Sequence, residues 1–66
     1  MVSSRAAAQH EILVDGELCR VWVGQRSAGV WRAYGDFRRR HIDKTGRDER
    51  DALAQWTRAA EYAANE

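Results

Sequence analysis

Two runs of alternating character, Glu11-Ile12-Leu13-Val14 and Glu17-Leu18-Cys19-Arg20-Val21-Trp22-Val23, flank the dipeptide Asp15-Gly16. Asp-Gly between such runs predicts a two-residue hairpin, because a type I′ turn needs positive φ at both central positions. That turn fixes the register: Val14 opposite Glu17, Leu13 opposite Leu18, Ile12 opposite Cys19. The two-residue period then sets Ile12, Val14, Cys19, Val21 and Val23 on one face and Leu13, Leu18, Arg20 and Trp22 on the other.

Residues 24–29 read as a turn, and Val30-Trp31-Arg32-Ala33-Tyr34-Gly35 as a third strand. With Gly24 opposite Val30, Val23 meets Trp31 and Val21 meets Ala33. On the other face Trp22 meets Arg32 and Arg20 meets Tyr34, two cation–aromatic cross-strand pairs. Gly35 leaves room for a close approach to the sheet. Residues 36–40 read as a turn and His41-Ile42-Asp43-Lys44-Thr45 as a short strand whose register the pattern does not fix. Ile42 is its core residue. Arg40 and Lys44 lie at the rim, with packed stems and solvated heads.

Residues 48–64 give the clearest periodicity. Leu53, Trp56, Ala60 and Ala63 recur at helical spacing, widened by Ala52, Ala59 and Ala64, against a polar side of Asp51, Gln55, Arg58, Glu61 and Tyr62. Asp48 is the expected N-cap, and Glu49 and Asp51 suit the positive end of the helix dipole. The expected fold is therefore α+β: an antiparallel meander of three to four strands covered on one face by a single C-terminal helix. Its core centres on Trp31 and Trp56, with Ile12, Val21, Val23, Ile42 and Leu53 around them. Residues 1–10 read as a flexible N-terminal segment with at most one helical turn at 6–9, and residues 11–66 as one domain.

Length agrees with this reading, since 66 residues suffice for one domain with a thin core. Charged residues make up 32 % and hydrophobic ones 44 %, a globular composition. No apolar run approaches the roughly 20 residues of a membrane span, and Met1-Val2-Ser3-Ser4-Arg5 lacks a signal-peptide core. A cytoplasmic, non-membrane protein is expected. The net charge of +1 conceals an asymmetry. Residues 20–44 carry seven basic residues against two acidic ones, and residues 48–66 two basic against five acidic.

Catalytic and cofactor motifs are missing. There is no phosphate-binding glycine loop, no His-Glu-x-x-His and no paired Cys-x-x-Cys. Cys19 is the single cysteine, which excludes an internal disulfide. It sits on the apolar face as a small buried thiol. His10 and His41 have no ligand spacing, and Asp36 with Asp43 falls short of a two-metal carboxylate cluster. Neither an enzyme nor a cofactor is expected.

From Val21 onward a further pattern is present. Tyr34 with Asp36-Phe37, followed by Gly46-Arg47-Asp48-Glu49-Arg50-Asp51-Ala52-Leu53, resembles the strand and helix-start motifs of the HicB-like antitoxin domain. That resemblance implies a partial ribonuclease-H-like βββα core over residues 21–64 and, by extension, a toxin partner. Two departures limit it. The family's prolines and Gly-Cys step are replaced by Arg38-Arg39-Arg40, and its usual C-terminal DNA-binding domain has no counterpart here. The double-stranded-RNA-binding domain is also comparable, but its phosphate-gripping helix start would here be Asp48-Glu49-Arg50-Asp51, which repels phosphate.

The candidate site is the uncovered sheet face. Trp22 and Tyr34 alternate with Arg20 and Arg32, with Arg38, Arg39 and Arg40 at one end, the aromatic and cationic mixture that single-stranded RNA or DNA uses. Leu13, Leu18 and Val30 join Trp22 as an apolar patch suited to a protein partner or a homodimer. A non-enzymatic protein-interaction or self-association module is the leading expectation, with single-stranded nucleic-acid binding and a HicB-like antitoxin half as alternatives.

Overall fold

The computed structural model describes residues 7–65. Four strands, β1 (Ala8–Val14), β2 (Glu17–Ser27), β3 (Val30–Phe37) and β4 (Arg40–Gly46), precede one helix, α1 (Glu49–Ala64). The strands form a single antiparallel sheet in the order β1-β2-β3-β4, so β1 and β4 are its edges. α1 lies on one face, over β4 and β3 more than over β1 and β2. This is the expected α+β architecture with the fourth strand present.

The first hairpin has the register that Asp15-Gly16 dictates, with both turn residues at positive φ (53° and 78°). Strand β1 begins earlier than the sequence suggests. Ala8, Gln9 and His10 pair with Val23, Trp22 and Val21, so these three are strand and not a frayed or helical start. Their own alternation is weak; the long partner β2 supplies the ladder. Of the remainder of that expected flexible segment, Ala7 precedes the strand and residues 1–6 lie outside the described residues.

The second hairpin departs from expectation. β2 continues to Ser27 and turns through Ala28-Gly29, with Gly29 at φ 72° and a bulge between Gln25 and Ser27. The pairing is therefore displaced by two residues: Val23 faces Ala33, and Trp22 faces Tyr34 instead of Arg32. Because the displacement is even, every side chain keeps its face. Trp31 moves toward the end of the sheet, opposite Gln25 and Gly46, and is only partly buried.

Phe37 takes the core place expected for Trp31. It ends β3 instead of starting a turn, and is 2 % exposed. The turn after it is the dipeptide Arg38-Arg39, both at positive φ (52° and 70°). This closes a third tight hairpin and brings Ile42 opposite Gly35.

The core comprises Val14, Cys19, Val21, Val23, Ala33, Phe37 and Ile42 from the sheet and Ala52, Trp56 and Ala60 from the helix; Ile12 and Leu53 pack at its margin. Alanines on the helix let its axis approach the strands. Asp48 caps α1, its carboxylate accepting from the Asp51 amide at 2.8 Å. His10 ties β1 to the same end of the helix, donating from Nε2 to Glu49 Oε2 at 2.9 Å. No helix of the described residues is long and apolar enough to cross a membrane.

Candidate sheet-face interface

The face that α1 leaves uncovered is built from the even-numbered residues of β2 and β3 and the odd-numbered residues of β1 and β4. One cross-sheet row runs Gln9, Trp22, Tyr34, Asp43. Trp22 and Tyr34 stack there with ring centroids 6.2 Å apart and planes 20° from parallel. The two-residue displacement created this aromatic pair where cation–aromatic pairs were expected. Arg32 still reaches the Tyr34 ring from the next row, its guanidinium carbon 4.5 Å from the centroid.

Carboxylates stand beside the basic side chains of this face. Arg32 donates from Nε to both carboxylate oxygens of Asp43, each at 2.9 Å. That bond holds the Asp43 carboxyl below its usual range and raises the Arg32 guanidinium further. Arg20 stands opposite Glu11 in the β1–β2 ladder. His41 donates from Nδ1 to Asp36 at 3.0 Å.

The three successive arginines diverge. Arg38 donates to Glu17 at 2.8 Å and to Asp15 at 3.0 Å, clamping the Arg38-Arg39 turn to the Asp15-Gly16 turn beside it. Its guanidinium also covers the Phe37 ring at 4.8 Å. Arg39 projects at the turn. Arg40 opposite Phe37 belongs to the helix-covered side of β4. They do not extend the Trp22 face as one basic end.

The apolar candidates are also divided. Leu13 and Leu18 oppose each other across β1 and β2 and are 65 % and 62 % exposed. Trp22 lies four residues further along β2, about 13 Å away. Val30 is at the far end of the sheet beside the second turn and is separate from that patch. Two shallow recesses adjoin Trp22, one bordered by Glu11, Leu18, Arg20 and Asp36, the other by Tyr34, Asp36 and His41.

Cys19 lies on the opposite, helix-covered face, where burial, assisted by Glu17, pushes its thiol pKa up. Among the described residues no group of three or more His, Cys, Asp or Glu side chains is placed to hold a metal ion. No family model, curated protein or solved structure matches the chain.

Proposed function

We propose that this chain is a non-catalytic self-association module in which two copies pair through their uncovered sheet faces. The observation that carries the proposal is the Leu13–Leu18 pair, more than 60 % exposed, on the same face as the Trp22–Tyr34 stack. An aqueous sheet face gains little from four large apolar side chains; a second copy would bury them. Arg32, already held by Asp43, enters such an interface together with its counter-charge, which reduces the penalty of burying it.

Area supports a dimer of modest strength. With about 4.8 Å between strands and about 3.3 Å per residue, the face spans roughly 19 by 23 Å, so pairing hides on the order of 900 Å². That falls just below the ~1,000 Å² a stable specific interface clears, in the range of weak, transient pairing. Sedimentation equilibrium on the wild type and Leu18→Lys is the test. A dimer at about 100 µM that Leu18→Lys converts to a folded monomer is expected. A wild type that stays monomeric at that concentration overturns the proposal.

Single-stranded nucleic acid is the second reading, favoured by the Arg32–Tyr34–Trp22 cluster. It requires Arg32 to leave Asp43, and it predicts amide shifts at Arg20, Trp22, Arg32 and Tyr34 that fade between about 50 and 200 mM salt. The HicB-like reading would make the partner a toxin, for which the order β2, β3, β4, α1 supplies only a compatible core.

A further inference from the structure

The other side of the outer strand β4 carries a second surface that shares no apolar residue with the Trp22 face. Between β4 and α1 lie two adjoining recesses of about 370 and 350 Å³. Lys44, Ala59 and Tyr62 border both; Ile42 and Ala63 add apolar wall at one end, and Arg58 stands at the other. Tyr62 is 74 % exposed, more open than Leu13 or Leu18. Because β4 is an edge, alternate main-chain amides and carbonyls point outward beside this groove.

Charge selects the occupant. Lys44 and Arg58 line the groove, and its one lining carboxylate among the described residues, Asp43, is bonded to Arg32 on the other face. Lys44 stands opposite buried Ala33, which sets it on the groove side of β4. A second copy is a poor match for this edge. Full antiparallel overlap of two β4 strands opposes Asp43 to its own copy, and a face-preserving shift of two residues opposes Lys44 to its own copy; like charges directly opposite are destabilising. Nucleic acid fits less well too, since Tyr62 is the one Phe, Tyr or Trp ring lining the groove among the described residues and stacking needs a succession of them.

We infer that the groove takes an extended acidic segment of a partner protein, which adds to β4 as a fifth strand. Every second side chain of such a strand faces the groove. Acidic groups then meet Lys44 and Arg58, and apolar ones pack on Ile42, Ala59 and the Tyr62 ring. The surface is independent of the self-association reading, since none of its contacts uses Trp22, Leu13 or Leu18.

The test is an amide-shift and hydrogen-exchange titration at about 50 mM salt, where charge complementarity is least screened. The probe is a capped peptide of about eight residues repeating Thr-Glu-Thr-Val, a typical strand length. Its counterpart with Lys for Glu and an oligothymidylate serve as comparisons. Shifts confined to Ile42–Thr45 and Ala59–Ala63, with slowed exchange of outward amides of β4, are expected. Lys44→Glu and Arg58→Glu should each weaken binding about tenfold, a loss typical of reversing one side of a charge pair. Both positions are exposed, and an unchanged Trp56 indole signal reports that the fold persists. Trp22→Ala should leave peptide affinity unchanged while breaking the dimer, so each reading can fail alone. Absent shifts, equal binding of the Lys peptide, tighter binding of the oligothymidylate, or shifts centred on Trp22 and Tyr34 would each overturn the inference.

Discussion

The indole Nε1 of Trp56 donates to the main-chain carbonyl of Ile42 across 3.0 Å. Trp56 is wholly buried at the middle of α1, and Ile42 belongs to the outer strand β4, so one bond ties the helix to the sheet edge. Tryptophan suits this position because it combines a large apolar body with a donor at its tip. Phenylalanine would fill most of the space and remove this side-chain donor from the Ile42 carbonyl.

Trp56→Phe is therefore expected to cost about 2 kcal/mol, for the lost indole hydrogen bond plus a small void. In a domain of this size that lowers the melting temperature by roughly 8–16 °C. Trp56→Ala, at about 3–5 kcal/mol, removes most of the stability a chain this short can have. Urea melts followed by circular dichroism check both, and Trp56→Phe melting like the wild type would show that the bond contributes nothing.

A second tight place lies at the N-terminal end of the helix. A Cβ on Gly46 would sit 2.4 Å from the Ala52 amide nitrogen and 2.8 Å from its Cα, both main-chain atoms. Gly46→Ala must therefore push the first turn of α1 away from β4, at a cost of about 1–3 kcal/mol. Trp31 is the register partner of Gly46, so its fluorescence should shift to the red as the junction opens. A variant with unchanged melting and emission would contradict this account of the contact.

How much of this was legible in the sequence follows from which signals were local. Asp15-Gly16 specified a turn type, and with it the register of a whole hairpin. The α1 stripe and the Asp48 cap were equally local. The β2–β3 register was not: Gly24 and Gly29 both offered a turn, and the bulge near Gln25 that reconciles the strands has no signature of its own. Phe37 falls within residues 36–40, read as a turn, because nothing in that stretch marks Arg38-Arg39 as its two central residues. Arg38-Arg39 occupies positions where asparagine and glycine are usual. Of the candidate site, the face assignment of Trp22, Tyr34 and Arg32 was readable from alternation. The stack of Trp22 on Tyr34 and the Asp43 clamp on Arg32 depend on register, and so were not.

Acid should destabilise the fold through two carboxylates. The Arg32 bond lowers the Asp43 pKa, and the Arg47 amide, with help from Gln55, lowers that of Asp51. A carboxyl with a depressed folded-state pKa contributes stability that is fully present above its unfolded value of 3.8. The contribution disappears as pH falls through the lower folded value. Melting temperature should accordingly hold steady from neutrality to about pH 5 and fall below pH 4. Asp43→Asn and Asp51→Asn should each flatten that decline. Acid limbs identical to the wild type would mean that neither bond is linked to folding.

The Arg38-Arg39 turn gives the last prediction. Both residues adopt the left-handed region, which costs a side-chain-bearing residue about 1 kcal/mol relative to glycine. Arg38 has compensating contacts: its bonds to Glu17 and Asp15 and its cover over Phe37 join the two turns at this end of the sheet. Arg39 has the same backbone strain (φ 70°) without that clamp role. Arg39→Gly should then stabilise the domain by about 0.5 kcal/mol, net of the added freedom of the unfolded chain. The melting temperature would rise by a few degrees. Arg38→Gly relieves similar strain but severs the clamp, and should leave the protein less stable than Arg39→Gly. Paired thermal melts decide it, and the reverse order would mean that the Asp15 and Glu17 contacts do not hold the turns together.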